Sequence, residues 1–332
     1  MSPPFVTPPL RAGAILIRHK TKTGDGMDEV IDAGALMPAP VQRGLPLTYS
    51  RPDQGWFRRR LIRGVESLSG RGRLERLYHE WDVATRDGHE APFAAALRVL
   101  RLKTELRGAV EAIPREGPLL VLANHPFGIV DGLSIGHLLT QRRGDVKIMT
   151  HSLLCQPEAA RGLLLPVDFG PGEAARRATA ETRRQAVEWL AAGHALIVFP
   201  AGSVATAPRP LARHAADGPW HPFAARLAAR PGVQTVLVHV AGQNSRLFQI
   251  VSHLSYPLRA ALILHETARR IGGTVRLTVA APRKEGAGLD RAGGAGQRDE
   301  AVQDLRRRCL AMAGADGPDP EVVFHWPRHI RW

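Results

Sequence analysis

The sequence predicts an α/β fold: a mostly parallel sheet flanked by helices and preceded by an N-terminal helical extension. Two observations carry this prediction. From residue 118 onward, short β-type runs alternate with segments of helical periodicity, which is typical of parallel strands joined by helices. Before that point, between residues 53 and 106, apolar side chains recur at helical spacing. The chain has 332 residues, of which 44% are apolar, so a substantial core is possible.

The N-terminal third divides into an arm and an extension. Residues 1–50 are rich in Pro and Gly without a sustained period, so we expect an irregular arm. Helices are expected over 53–82, with a break at Gly70 and Gly72, and over 92–106. The whole chain is then expected to comprise the arm over 1–50, a main domain over 51–312 that includes these helices, and a C-terminal tail over 313–332.

The main domain is expected to hold six strands and five further helices. The predicted strands are 119–123, 146–150, 163–168, 195–200, 234–241 and 274–281. The predicted helices are 132–142, 173–192, 221–230, 256–271 and 299–312, with a Gly-rich loop over 283–296. Ligands of such sheets bind outside the carboxyl ends of the strands. His125, Pro200 and Gly242 follow strand ends, so their loops are expected to converge there.

The segment after the first of these strands carries a histidine and an aspartate six residues apart, His125 and Asp131. Pro126 biases His125 away from the α region, and Gly128 permits the following turn. Asp131 then falls in the first turn of a helix, where a carboxylate is favoured. There it can accept from one imidazole nitrogen and leave the other as a general base toward a hydroxyl. For a bare pair the commoner arrangement is a helix cap beside a loop histidine.

A second segment repeats this design, since the apolar run from residue 195 ends in Phe199-Pro200-Ala201-Gly202-Ser203. Gly202 permits close approach of the backbone to a ligand, and Ser203 adds a hydroxyl. Main-chain N–H groups in such a turn can hold a phosphate or a developing oxyanion. An ordinary strand-to-loop turn fits this segment equally well.

Together the two segments resemble the glycerolipid acyltransferase family, the lysophospholipid acyltransferases, which carries an N-H-x4-D block and an F-P-E-G-T block. The sequence is more similar to a bacterial hemolysin-like branch that includes acyltransferases of ornithine-lipid synthesis and reads N-H-P-F-G-x-x-D-G and F-P-A-G-E. The corresponding blocks here are 124–132 and 199–203, and 166–170 and 238–245 are also similar. The resemblance covers roughly residues 55–312.

The resemblance implies the glycerolipid acyltransferase fold and transfer of a fatty acyl group from a thioester to a lipid hydroxyl in membrane lipid synthesis. It implies His125 as the base and Asp131 as the carboxylate that orients it. The substrate-binding candidates are Asn124, Gly128, Phe199, Pro200, Gly202, Ser203 and, beyond the second block, Arg209. The acyl donor is expected to be an acyl carrier protein or coenzyme A thioester, with no metal and no other cofactor.

Three departures bear on the acceptor. The spacing is H-x5-D, as in the branch but not in the main family. The glutamate of the second block is replaced by Ala201 and Ser203 at its two possible positions, and an arginine common in the middle block is absent near 166–170. These departures favour an acceptor without a phosphate, such as a lyso-ornithine lipid. A 1-acylglycerol-3-phosphate acyltransferase is the alternative, and an inactive membrane-binding relative is another.

The net charge of +14 suits nucleic acid, an anionic membrane surface or an acidic protein such as acyl carrier protein. No apolar run approaches the roughly 18–20 residues of a membrane span, and the N-terminus does not read as a signal peptide. We therefore expect a peripheral protein on the cytoplasmic face of the inner membrane. Trp56 and Phe57 beside an arginine cluster, and more weakly Trp326 and Trp332, are candidate interfacial anchors.

Other classes fit the sequence less well. Against a nucleic-acid-binding protein, the arginines are dispersed, no binding motif is present and only 5% of residues are aromatic. Against a serine hydrolase, the G-x-S-x-G elbow is absent. Two cysteines, Cys155 and Cys309, without C-x-x-C spacing imply neither a disulfide framework nor a zinc site.

Overall fold

A computed structural model gives the fold of the main domain. The described residues are 70–155, 157–170, 172–286, 295–327 and 330, with scattered positions between 55 and 64. The predicted irregular arm over 1–50 and most of the predicted helix before Gly70 lie outside the described residues.

Two described α-helices precede residue 103, and strands and helices are interspersed beyond it. In chain order they are α1 (Arg71–Thr85), α2 (Pro92–Val99), β1 (Lys103–Gly108), β2 (Leu119–Ala123), α3 (Ile129–Thr140), β3 (Val146–His151), β4 (Leu164–Val167), α4 (Glu173–Ala191), β5 (Ala195–Val198), α5 (Phe223–Ala228), β6 (Gln234–Ala241), α6 (Arg246–Ser252), α7 (Tyr256–Arg269), β7 (Thr274–Val279) and α8 (Ala295–Ala311). Short 3₁₀ turns lie at Arg86–Gly88, Val110–Ala112, Ser152–Cys155 and Glu158–Leu163.

The described strands form one seven-stranded sheet in the order β1-β7-β6-β2-β5-β3-β4. Neighbouring strands are parallel except for β6 and β7, which run antiparallel. Strand β2 lies at the centre between β5 and β6, and all five of its residues are fully buried. A strand buried on both faces reads as a continuous apolar run, as Leu119–Ala123 does.

Both faces of the sheet are covered by helices, as the alternation along β2 shows. Leu119 and Val121 belong to an apolar cluster that includes residues of α1, α2, α3 and α7. Leu120 and Leu122 belong to a second cluster with residues of α4, α5 and α8. The predicted architecture, a mostly parallel sheet flanked by helices, is therefore confirmed.

All six predicted strands are present, with ends that differ by at most two residues. The predicted helix over 92–106 is wrong in its second half: α2 ends at Val99 and residues Lys103–Gly108 form edge strand β1. Arg101 turns the chain between them with a φ of 52°. Since β1 pairs with β7 alone among the described strands and is largely exposed, its sequence lacks the apolar alternation of a half-buried strand.

Two boundaries in the helical part also differ from expectation. Gly70 adopts a φ of +81° immediately before α1, which is the predicted break, whereas Gly72 lies inside α1. Helix α3 begins at Ile129, earlier than the predicted residue 132, and therefore includes Asp131. Among the described residues, no helix is long and apolar enough to cross a membrane.

Candidate active site

Asn124 fixes the start of the loop that leaves the centre of the sheet. Its amide nitrogen donates to the carbonyl of Val240 at 2.9 Å, and its amide oxygen accepts from the N–H of Val240 at 2.7 Å. The side chain is buried, and both amide atoms are thus engaged with β6. The structure therefore places this predicted substrate-binding residue in a role that ties the ends of β2 and β6 together beside His125.

Asp131 occupies the third position of α3 and is fully buried. Its Oδ2 accepts from the N–H of Phe127 at 2.9 Å and from the N–H of Gly128 at 3.0 Å. The Nδ1 atom of His125 lies 3.0 Å from the same oxygen. The approach is not aligned as a hydrogen bond, since Nδ1 has no partner of hydrogen-bond geometry. Catalytic hydrogen bonds commonly reach their final alignment only in the substrate complex.

Three further contacts hold His125. Its carbonyl accepts from the N–H of Ala205 at 2.7 Å, and its N–H donates to Oδ1 of Asp217 at 3.2 Å. Its ring stacks on Phe199, with centroids 4.2 Å apart and planes inclined by 29°. The side chain is 18% exposed, whereas Nδ1 is buried. The accessible edge of the imidazole is therefore the one that carries Nε2, which is the edge that a general base must present.

Asp217 was not among the predicted site residues. This carboxylate is fully buried, and its Oδ2 accepts from Nε1 of Trp220 at 2.9 Å. Its main-chain carbonyl accepts from Nη2 of Arg306 at 3.0 Å. Burial raises the pKa of Asp217, while the hydrogen bonds from Trp220 and the main chain of His125 act in the opposite direction. The residue therefore anchors the main chain at His125.

A cavity of about 440 Å³ opens beside this pair. Its wall is mostly apolar and comes from α1, α2, α3 and α7 together with the ends of the central strands. Of the predicted site residues it includes His125, Gly128, Phe199, Pro200, Gly202 and Ser203. A concave, mostly apolar site with a few convergent polar groups is the usual form of a small-molecule site.

The turn after β5 contributes the cavity wall opposite α3. Gly202 has a φ of +63° and lies against the ring of Phe169, so a side chain there would be strained. Its N–H donates to the carbonyl of Phe199 at 3.0 Å. This N–H is therefore used within the turn, and an oxyanion would depend on other donors such as the Ser203 hydroxyl.

Two other predicted residues lie away from the cavity. Arg209 is exposed and is not part of the cavity wall. Trp326, a predicted membrane anchor, is half-buried and packs against Phe324 and Tyr256, with centroids 5.1 Å and 5.8 Å away. Trp56 is 71% exposed. Phe57 and Trp332 lie outside the described residues.

No cluster of three or more His, Cys, Asp or Glu side chains that could hold a metal occurs in the described part of the chain. Cys155 and Cys309 are both free thiols. Burial raises the pKa of Cys155 to about 11 and that of Cys309 further still. Neither thiol is therefore suited to act as a nucleophile near neutral pH.

A family model described as Acyltransferase matches residues 76–266, more than half of the chain. The chain belongs to this acyltransferase family. The match contains His125, Asp131, Phe199 and Asp217. It ends within α7, so α8 and its Arg306 lie beyond the matched part of the chain.

Two relatives carry the name lyso-glycine lipid O-acyltransferase. The protein of Bacteroides thetaiotaomicron is 27% identical over 162 residues, which are 46% of this chain and 54% of the relative. The protein of Phocaeicola vulgatus is 25% identical over 165 residues, which are 48% and 54% of the two chains. The chain thus spans about half the length of the curated relatives that it matches.

A solved structure also matches this chain. It is the 1-acyl-sn-glycerophosphate (LPA) acyltransferase PlsC of Thermotoga maritima, with 17% sequence identity and a TM-score of 0.37. The match covers 80% of this chain and 85% of that one.

Proposed function

We propose that this protein is an O-acyltransferase that moves a fatty acyl group from an acyl thioester to the hydroxyl of a lyso-lipid. The observation that carries the proposal is the His125–Asp131 pair, whose histidine lies at the wall of an apolar cavity. The imidazole supplies a base for a hydroxyl, and the cavity supplies an environment for a hydrocarbon chain.

In the proposed reaction, Nε2 of His125 takes the proton of the acceptor hydroxyl as its oxygen attacks the thioester carbonyl. The tetrahedral intermediate collapses to an ester and expels the thiolate, which receives the proton from the imidazolium. Asp131, 3.0 Å from Nδ1, favours the tautomer with the proton on Nδ1 and stabilises the imidazolium. General base catalysis of this kind contributes roughly 10²–10⁴-fold to the rate.

The cavity suits the acyl chain because its wall is built from side chains such as Leu74, Leu77, Phe93 and Leu133. Each methylene group that leaves water for such a wall contributes about 0.8 kcal/mol. An acyl group of fatty-acid length would therefore gain most of its binding energy from chain burial, and the helices α1 and α2 would set the length that fits.

The proposed donor is an acyl carrier protein or coenzyme A thioester, and the proposed place of action is an anionic membrane surface on the cytoplasmic side. The net charge of +14 supports both an acidic carrier protein and an anionic leaflet. For the acceptor, the names of the two relatives support a lyso-lipid with an amino-acid headgroup, such as lyso-glycine or lyso-ornithine lipid. A 1-acylglycerol-3-phosphate acceptor is the alternative.

The test is acyl transfer by the purified protein on vesicles that contain anionic phospholipid. Labelled acyl carrier protein and coenzyme A thioesters are offered in parallel with lyso-glycine lipid, lyso-ornithine lipid and lysophosphatidic acid, and products are identified by mass. We expect a diacyl product with at least one amino-acid lyso-lipid. The His125→Ala variant is expected to be inactive while retaining its melting temperature.

His265→Ala is the matched control, since His265 lies in α7 and is not part of the cavity wall. Equal rates for wild type and His125→Ala would refute the proposed mechanism. Preferred binding to DNA over anionic vesicles, without any acylated product, would instead favour the nucleic-acid alternative.

A further inference from the structure

Three cationic or ionisable side chains surround Phe223 near the cavity: Arg183 of α4, His221 just before α5, and Arg226 of α5. The guanidinium carbons of Arg183 and Arg226 lie 5.5 Å and 5.6 Å from the ring centre of Phe223. Arg183 and His221 both belong to the cavity wall. We call these three residues the basic cluster.

Both hydrogen-bond neighbours of the His221 ring are donors, so an N–H of the imidazole must face one of them. Its Nδ1 lies 3.1 Å from the N–H of Phe223, and its Nε2 lies 3.3 Å from Nη2 of Arg183. A neutral imidazole has one N–H and one acceptor nitrogen, whereas both neighbours are donors. If Nδ1 accepts from Phe223, the proton is on Nε2 and points toward the guanidinium. An oxygen anion between Nε2–H and Arg183 would accept from both and resolve this conflict.

The charges of the basic cluster are not neutralised by ion pairs. Within the described part of the chain, neither Arg183 nor Arg226 lies within 4.0 Å of a carboxylate. Burial lowers the pKa of Arg183 and of His221, and the charge of Arg226 lowers both further. Asp299 of α8 is the carboxylate that acts on His221 in the opposite direction. By contrast, the adjacent Arg184 forms ion pairs with Glu181 and Glu188.

The basic cluster is physically connected to the catalytic pair. The N–H of His221 donates to the carbonyl of Pro200 at 3.0 Å. Pro200 follows Phe199, whose ring stacks on His125. An anion held by Arg183 and His221 would therefore belong to a molecule that extends along the same cavity wall toward the imidazole.

We propose that Arg183, His221 and Arg226 bind an oxyanion, a carboxylate or phosphate group, of one substrate during acyl transfer. This inference rests on the proposed function. The anion has two sources, the headgroup of the lyso-lipid or the phosphate of the phosphopantetheine arm that carries the acyl group. Arg209, by contrast, is not part of the cavity wall.

The kinetic experiment compares Arg183→Gln with Arg184→Gln, the neighbouring arginine that is already ion-paired. The KM for the lyso-lipid is measured at saturating donor, and the KM for the donor at saturating lyso-lipid. Hydrogen bonds to charged groups correspond to roughly a 10- to 100-fold effect on affinity, so Arg183→Gln is expected to raise one KM by that factor with little change in kcat. A rise in the lyso-lipid KM assigns the anion to the headgroup, and a rise in the donor KM assigns it to the phosphopantetheine phosphate.

A direct binding measurement separates this proposal from the proposed function. Inorganic phosphate is titrated into the full chain at constant ionic strength, and the imidazole signals of His221 are followed by NMR, with His221→Gln used for assignment. We expect a saturable shift in wild type and Arg184→Gln that is lost in Arg183→Gln. This readout does not require acyl transfer. An absent shift in wild type, or unchanged values of both KM in Arg183→Gln, would overturn the anion site.

Discussion

The main-chain N–H of His125 donates to the carboxylate of Asp217, a fully buried side chain 92 positions further along the chain. The same carboxylate accepts from the indole of Trp220, and its own main chain accepts from Arg306. The histidine is therefore positioned by two aspartates of different kinds. Asp131 faces the imidazole ring, while Asp217 holds the backbone that carries it.

Asp217→Asn should weaken this anchor. An amide keeps one acceptor oxygen but places an NH₂ donor against either the His125 N–H or the Trp220 indole, so one buried hydrogen bond is lost. We expect the free energy of unfolding in urea to fall by about 1–3 kcal/mol, together with a reduced kcat. Asp316→Asn, at an exposed position, is the control. Equal stability of both variants and wild type would show that the anchor is dispensable.

Asp131→Asn should reduce acyl transfer by roughly two to four orders of magnitude. The amide can still accept from the N–H groups of Phe127 and Gly128, but it removes the charge beside Nδ1 and no longer selects its protonated tautomer. The effect should fall on kcat, because Asp131 is not part of the cavity wall. Steady-state kinetics with melting curves test this. A variant with full kcat would show that His125 needs no carboxylate.

His239 should make stability depend on pH. It lies in β6, and burial lowers its pKa to about 4, below the value of about 6.5 expected in the unfolded chain. Between these values the unfolded state binds more protons, so stability is complete above pH 6.5 and is lost as the pH falls toward 4. Each pKa unit corresponds to at most about 1.4 kcal/mol.

The measurement is urea unfolding of wild type, His239→Leu and the exposed control His79→Gln at several pH values from 4 to 7. The difference in stability between wild type and His239→Leu is expected to shrink or reverse toward low pH, because the variant lacks the buried imidazole. A constant difference over this range would contradict the pKa assigned to His239.

Ala96→Phe should shorten the acyl chain that the protein accepts. Ala96 is buried in α2 and belongs to the cavity wall, so a phenyl ring there occupies space proposed for hydrocarbon. Overpacking of this kind costs about 1–3 kcal/mol of stability. Competition between donors of different chain length measures the preference, with Ala191→Phe at the exposed end of α4 as the control. An unchanged length preference would place the acyl chain elsewhere.

Much of the sheet could be predicted because its buried strands appear in the sequence as short apolar runs. Leu119–Ala123 and Gln234–Ala241 are buried strands, and the sequence predicts their bounds without error. Strand β1 was missed because it is an exposed edge whose polar residues continue the helical pattern of α2. Helix α6 was missed because its seven residues are too few to establish a period.

The site could be predicted only where its residues are close in sequence. His125 and Asp131 lie within one strand–loop–helix unit, so local geometry places them side by side. Asp217 and His221 lie in an irregular stretch between β5 and α5, where no periodic pattern distinguishes a buried polar residue from a loop residue. Their roles depend on contacts across the fold. Asn124 shows the converse, since its motif position indicated ligand binding whereas its amide is bonded to β6.

The contact between Arg306 and Asp217 has a consequence for biosynthesis. Arg306 lies in α8, and its guanidinium also donates to the carbonyls of Pro320 and Val322. During translation, His125 and Asp131 leave the ribosome long before this arginine does. The loop that carries His125 therefore lacks part of its main-chain support during translation. That support is complete only after α8 has left the ribosome and packed against the rest of the domain. A chain that ends before residue 306 would contain His125 and Asp131 but would lack the hydrogen bond from Arg306 to the main chain of Asp217.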